Sequence, residues 1–141
     1  MWMFTGNMMK LTKPRQFQIR NEIILLFCAD PDTGPLMRRA LEAGGYPVLT
    51  ADAMEQADEL FRSFDGAIRL LIIDIPSIGQ NLLEVIASLR KRNPALKVIV
   101  ASKEASPRER HDIYISGVIE LIRKPVDKEQ LLHVVRRIVE K

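Results

Sequence analysis

The chain has 141 residues, 47% of them apolar, which is enough for one domain with a buried core. Its single cysteine, Cys28, excludes a disulfide framework, and its apolar runs are too short to cross a bilayer. The net charge of +3 is unevenly placed: residues 1–20 carry four basic side chains and no acid, which leaves 17 basic and 18 acidic side chains for 21–141. We therefore divide the chain into a basic N-terminal arm, 1–20, and a domain, 21–141. The arm either touches nucleic acid or anionic lipid, or is a solvated leader.

Short apolar runs and amphipathic segments alternate along the domain. The apolar runs are typical of buried parallel strands and cover residues 22–28, 47–50, 70–73, 97–101 and 118–122. The amphipathic segments predict helices over residues 35–43, 52–64, 81–92, 106–115 and 127–139. Three helix starts carry capping signatures, at Asp52 with Glu55, at Ser106 with Glu109, and at Asp127.

This order is a strand followed by a helix, five times over. Right-handed crossovers then require a parallel sheet covered by helices on both faces. We predict an α/β fold of the flavodoxin-like (βα)5 type, a three-layer sandwich with a five-stranded parallel sheet in the order 2-1-3-4-5. Ligands bind such sheets at the carboxyl ends of the strands, where the sequence places Cys28 to Asp30, Asp74, Ser102 and Lys124.

The residues at these strand ends resemble those of the receiver domain of two-component response regulators. Asp74 ends the third strand, Ser102 ends the fourth, and Lys124-Pro125 follows the fifth. The resemblance covers about residues 22–141, and three further residues fall where receivers place such types: Tyr46, Gly79 and Gly117.

The resemblance implies a role for each of these side chains. Asp74 would accept a phosphoryl group from a phosphohistidine donor, Ser102 would bind a phosphoryl oxygen, and Lys124 would pair with the acceptor and the phosphate. It also implies a cis peptide at Lys124-Pro125. Without the resemblance, the simplest interpretation of Asp74 is a loop aspartate that caps backbone amides. Ser102 would then be a turn residue, and Lys124 would be an exposed lysine.

The sequence departs from the receiver pattern at the metal ligands. Receivers hold Mg²⁺ with two adjacent acids after the first strand, and Cys28 and Ala29 stand there. Asp30 comes one residue late, so in an extended segment it points to the opposite face; it reaches the site only if the chain bends at once, which Pro31 permits. We therefore predict a weak or absent Mg²⁺ site with Asp74 and Asp30 as its remaining candidate ligands, and we read Cys28 as a buried apolar residue.

Two further departures concern the residues around the site. Lys103 stands where the family has a small residue, and its ammonium either pairs with Asp74 in place of the metal or points to water. Leu121 stands at the position of an aromatic residue that reports the active state by moving inward.

These residues leave two signalling functions open. The first is a stand-alone, atypical receiver that acts through protein contacts by helix 4, strand 5 and helix 5, with a sensor histidine kinase, another signalling protein or a second copy as partner. The docking face would include Arg110, Tyr114, Leu121 and Lys128. The second is a phosphoacceptor switch that is phosphorylated at Asp74 through a displaced metal site. In either case we expect a cytoplasmic protein that is not an enzyme and binds neither nucleic acid directly nor a membrane.

A nucleotide-binding enzyme on the same fold is the third class considered. The turn after the first strand, DPDTGP, has neither of the glycine patterns that cradle phosphates. His111 and His133 fall on helices without a nucleophile partner, and we read them as solvated surface residues.

Overall fold

The computed structural model describes residues 23–64, 66–75 and 81–140. Its strands are β1 Ile23–Cys28, β2 Val48–Ala51, β3 Ile68–Asp74, β4 Lys97–Ser102 and β5 Glu120–Arg123. Its helices are α1 Gly34–Ala43, α2 Met54–Ser63, α3 Asn81–Arg92, α4 Pro107–Ile115 and α5 Lys128–Val139. The predicted arm, 1–20, and Gly79 lie outside the described residues.

All five strands are parallel and lie in the order β2-β1-β3-β4-β5, so the predicted topology is confirmed. The register sets the carboxyl ends level with one another, because Cys28 pairs with Asp74 and Asp74 pairs with Ala101. Ser102 pairs with Arg123 at the end of β5. Three strand ends and the residue after β5 therefore meet at one edge of the sheet.

Side chains alternate between the two faces of the sheet and build two apolar cores. Leu25 and Leu71 point to the face covered by α2, α3 and α4, whereas Leu26 and Ile72 point to the face covered by α1 and α5. The central strands are buried on both faces. Their sequences are therefore continuously apolar and do not alternate between apolar and polar residues. None of the helices in the described ranges is long and apolar enough to cross a bilayer.

Two of the three predicted helix caps are confirmed. Ser106 and Glu109 exchange side-chain-to-backbone hydrogen bonds at the start of α4, and Asp127 accepts a hydrogen bond from the amide of Gln130 at the start of α5. The cap predicted at Asp52 is wrong. The helix α2 begins one residue later, after an extended Ala53, and the amide of Asp52 donates to Gln56 instead.

The packing of the central strands generates a stability prediction. Leu26 is fully buried on β1, so Leu26→Ala is expected to lower the free energy of unfolding by about 2–5 kcal/mol through lost apolar burial and a residual cavity. Leu36→Ala removes the same atoms from a side chain that is 57% exposed on α1, and is expected to change stability by less than about 0.5 kcal/mol. Urea unfolding of both variants measures the difference, and equal losses would contradict this assignment of the core.

Candidate functional site

Three charged side chains from three strand ends meet in the interior. Lys124 follows β5, and its Nζ lies 2.5 Å from Asp30 Oδ2 and 2.6 Å from Asp74 Oδ1. The same ammonium donates to the carbonyl oxygen of Ile75 at 2.8 Å. All three charged residues are buried, with Asp74 at 0% exposure. One lysine thus binds two carboxylates at once, and the exposed-lysine interpretation of Lys124 is wrong.

Asp30 reaches this lysine because the chain bends directly after β1. The amide of Gly34 donates to the carbonyl of Asp30, which closes a turn, and the amide of Asp32 donates to Asp30 Oδ1. Asp30 therefore lies outside the extended segment, where its side chain would have pointed to the opposite face. Its Oδ2 and Asp74 Oδ1 are at most about 5.1 Å apart, the sum of their two distances to the lysine nitrogen.

Thr33 is a site residue that the sequence interpretation missed. It occupies the N-cap of α1, but its side chain makes no cap hydrogen bond. Its hydroxyl lies 2.8 Å from each oxygen of Asp74 and donates to that carboxylate instead. The signal that the sequence offers is a threonine just before a Gly-Pro helix start at the ligand-binding edge of the sheet. Interpreting this segment as a turn assigns Thr33 no role at the site.

The surroundings of the site shift the pKa values of two ionisable groups in opposite directions. The hydrogen bond from Lys124 and, after it, the amide of Asp32 hold the pKa of Asp30 below its usual value. Burial, followed by the negative charge of Asp74, raises the pKa of the Cys28 thiol to about 11. Cys28 is therefore a protonated, half-buried thiol at neutral pH, and it is not a thiolate nucleophile.

The residues present do not fit the Mg²⁺ ion that the receiver resemblance implies. Mg²⁺ requires near-octahedral oxygen ligands, and the side chains of Cys28 and Ala29 supply none. The oxygens of Asp30 and Asp74 already accept hydrogen bonds from Lys124, Thr33 and the amide of Asp32. Among the described residues, no three His, Cys, Asp or Glu side chains are grouped in a way that could hold a metal ion. A cation would have to displace the lysine.

The remaining predicted residues lie around this cluster in different environments. Ser102 is 2% exposed, and its hydroxyl has no hydrogen-bond partner within the described ranges. Lys103 is exposed, and the ammonium on Asp74 belongs to Lys124. Leu121 is half-buried on β5. His111 and His133 are both exposed, as predicted.

The peptide bond between Lys124 and Pro125 is cis, as the resemblance implies. The structure thus brings Asp30, Asp74 and Lys124 into direct contact. It places Ser102 at the neighbouring strand end, and it separates Lys103 and Leu121 from the charged cluster.

Comparison with known proteins places these features in a family. The sequence profile of the response regulator receiver domain matches residues 25–136. The probable transcriptional regulatory protein y4xI of Sinorhizobium fredii is 25% identical over 103 residues, which cover 73% of this chain and 45% of that protein. The alginate biosynthesis transcriptional regulatory protein AlgB of Pseudomonas syringae is 30% identical over 96 residues, which cover 67% of this chain and 20% of AlgB. The chain thus matches less than half the length of either relative.

Solved structures agree with the sequence match. A response regulator from Thermotoga maritima superposes with a TM-score of 0.75 at 24% identity, covering 85% of this chain and 98% of that one, and so shares the fold. A response regulator receiver protein from Pseudomonas putida superposes with a TM-score of 0.70 at 26% identity, covering 82% and 96%. The chain belongs to the response regulator receiver domain family, the signalling domains of two-component systems.

Proposed function

We propose that this domain is an atypical receiver, which signals through protein contacts and whose Mg²⁺-dependent phosphorylation is weak or absent. The observation that carries the proposal is the state of Asp74. Its carboxylate is fully buried, and its two oxygens are bound by Thr33 and Lys124.

The neighbours of Asp74 support the same function. A phosphoryl donor is anionic, and its approach to a carboxylate requires positive charge at the reacting oxygens. Within the described part of the chain, the only ammonium bound to Asp74 is that of Lys124, which also binds Asp30. Its single positive charge is therefore already shared between two carboxylates. The side chains of Cys28 and Ala29 offer no oxygen ligand for an additional metal ion. Phosphoryl transfer therefore lacks both an open acceptor and a second cation.

Output through a protein surface is supported by the residues around α4, β5 and α5. Arg110, Tyr114 and Lys128 are exposed there. Ile115, the last residue of α4, exposes 70% of its surface, and Ile119, just before β5, exposes 41%. This surface suits a histidine kinase, another signalling protein or a second copy of the chain. A cytoplasmic location, a stand-alone domain and the absence of enzymatic activity stay predictions, as does the lack of direct nucleic-acid or membrane binding.

A second candidate is a true phosphoacceptor switch with a displaced metal site. The observation that favours it is the position of Asp30, which shares a cation with Asp74 instead of pointing away from it. In this function the two carboxylates would exchange the lysine for Mg²⁺.

Phosphodonor labelling separates the two functions. We expect the wild-type chain with acetyl phosphate and Mg²⁺ to be labelled far below one phosphoryl group per chain, as measured by intact mass. The variant Cys28→Asp/Ala29→Asp restores two carboxylates, each worth roughly 4 kcal/mol to a unit charge 4 Å away at an effective dielectric of 20. It should raise both Mg²⁺ affinity and labelling by at least about tenfold.

The control for that experiment is Asp74→Asn, which removes the acceptor. Stoichiometric labelling of the wild-type chain that disappears in Asp74→Asn would refute the atypical receiver and establish the second candidate. Calorimetric titration with Mg²⁺ is measured alongside, so that a lost metal site and a blocked acceptor are told apart.

The role of Thr33 is tested with Thr33→Val, which keeps the shape of the side chain and removes its hydroxyl. We expect a loss of about 1.5–3 kcal/mol in the free energy of unfolding, because a buried carboxylate loses a donor. Thr33→Ser keeps the donor and should retain most of the stability. A valine variant as stable as the wild-type chain in urea would show that the hydroxyl does not stabilise Asp74.

The pair between Asp30 and Lys124 predicts a specific pH dependence. The pKa of Asp30 is lowered in the folded chain, so its stabilisation is fully present above its unfolded pKa of about 3.9 and is lost as the pH falls through the folded value. Asp30→Asn should therefore cost about 1–3 kcal/mol at pH 7 and progressively less below pH ~4.

Urea unfolding at pH 7 and at pH 3 measures this dependence. Asp32→Asn is the matched control, because Asp32 is an exposed acid two residues from Asp30. It donates a hydrogen bond to Asp30 through its backbone amide and not through its side chain, so the substitution keeps that bond. If Asp30→Asn is equally destabilising at both pH values, the charge of Asp30 is not what holds Lys124.

A further inference from the structure

A large cleft lies at one corner of the sheet, between the ends of β1 and β2 and the helices α1 and α2. It has a volume of about 930 Å³, and we call it the corner cleft. The lining residues that carry the argument are Cys28, Ala29, Pro31, Pro35, Asp52 and Glu59. Because β2 is the outermost strand on this side and both acids are exposed, the corner cleft is open to an occupant.

Two acids of the corner cleft lack a cationic partner in the described part of the chain. Asp52 directly follows β2 and Glu59 lies on α2, and neither forms an ion pair there. Arg38 also lines the cleft, but its Nε lies 3.3 Å from Glu42 on the same helix, so its charge is shared. The third acid of the lining, Asp30, is already bound by the buried ammonium. The charges of the cleft therefore favour a cationic occupant.

The surface between these acids and the end of β1 is apolar. Ala29, Pro31 and Pro35 are exposed, and Cys28 is half-buried. A protonated thiol packs as a small apolar group, so the cysteine belongs to the same surface. An occupant that fits the corner cleft therefore combines apolar side chains with positive charge.

Residues 1–20 of this chain have that composition. Nine of them are apolar, and these include Trp2, which is the only tryptophan of the chain, and four of its six methionines. Aromatic and methionine side chains are well suited to irregular apolar clefts. The same segment has no acid and four basic side chains, Lys10, Lys13, Arg15 and Arg20. The arm thus complements the corner cleft in both polarity and charge.

The point of attachment allows the arm to reach the corner cleft. The arm precedes β1, and the cleft lies at the far end of that strand, about 20 Å away for six residues at about 3.3 Å each. Twenty residues span up to about 66 Å when extended and about 30 Å as a helix. A tether of this length gives the arm an effective concentration on the order of millimolar at the cleft, so individually weak contacts are sufficient.

Charge distinguishes the corner cleft from two other cavities of the domain. The cavity between α4 and β5 is lined by three basic side chains and a single acid. The cavity between α1 and α5 is lined by Arg39 and Lys128, without an acid in its lining. Both cavities repel a basic segment, whereas Asp52 and Glu59 attract it.

We propose that the N-terminal arm, 1–20, folds back and docks in the corner cleft of its own chain. Its apolar side chains cover Cys28, Ala29 and the two prolines, and its basic side chains pair with Asp52 and Glu59. The docked arm thereby covers the end of β1 from solvent. Docking requires neither phosphorylation of Asp74 nor a second protein, so it goes beyond the function proposed above.

The only tryptophan and the only cysteine of the chain lie on opposite sides of this contact and serve as its probes. In the full chain at low ionic strength, acrylamide should quench Trp2 emission at least about threefold less efficiently than in the urea-unfolded chain. Alkylation of Cys28 by N-ethylmaleimide should be at least about threefold faster in Trp2→Ala/Phe4→Ala than in the wild-type chain, because the truncated arm no longer covers the thiol.

Charge reversal tests whether the arm occupies this cleft. Asp52→Lys/Glu59→Lys should raise the quenching of Trp2 by at least about twofold, because two attractive contacts become repulsive. Addition of Lys10→Glu/Lys13→Glu to that variant restores opposite charges and should restore the protection. Asp112→Lys is the matched control, since it reverses an exposed acid on α4 outside the cleft lining, and it should leave the quenching unchanged. Circular dichroism checks that each variant is folded.

Three results would overturn the proposal. The first is a tryptophan as accessible to acrylamide in the folded chain as in the unfolded one. The second is protection that persists in Asp52→Lys/Glu59→Lys, which would place the arm elsewhere on the domain. The third is protection that disappears on dilution, which would mean that the arm docks on a second copy of the chain.

Discussion

The buried ammonium of Lys124 is the interaction around which the functional edge of this domain is organised. Removing a charge from water costs several kcal/mol, and the structure offsets that cost with two carboxylates and a backbone carbonyl. The partners come from the ends of β1 and β3, whereas the lysine follows β5. The side chain of Lys124 therefore connects the ends of β1, β3 and β5. These three strand ends cannot move independently while the lysine binds both carboxylates.

The missing acidic pair at positions 28 and 29 and the buried position of Lys124 are consistent with one another in charge. Two carboxylates and one ammonium leave a net charge of −1, which the hydroxyl of Thr33 and the amide of Asp32 solvate with further donors. Two more carboxylates in place of Cys28 and Ala29 would leave −3 in the same space, and only a divalent cation could balance that charge. With a protonated thiol and an alanine there instead, a resident ammonium is sufficient.

The architecture could be predicted from sequence because buried parallel strands read as apolar runs and the crossover rule orders them. The same rule places Asp74, Ser102 and Lys124 at one edge of the sheet from the sequence alone. Asp30 and Thr33 could not be placed this way, since their directions depend on a turn formed within four residues and not on strand periodicity. The cap at Asp52 failed for a related reason: β2 continues to Ala51 through its pairing with Phe27, which moves the start of α2 past the capping pattern.

Ser102 belongs to this edge through its backbone as well as its position. Its carbonyl accepts a hydrogen bond from the backbone amide of Lys124 at 2.8 Å, so the residue whose ammonium binds Asp30 and Asp74 is also attached to the end of β4. Through its side chain and its backbone together, Lys124 therefore connects the ends of β1, β3 and β4 to the end of β5. Any displacement of this lysine would act on all four strand ends at once.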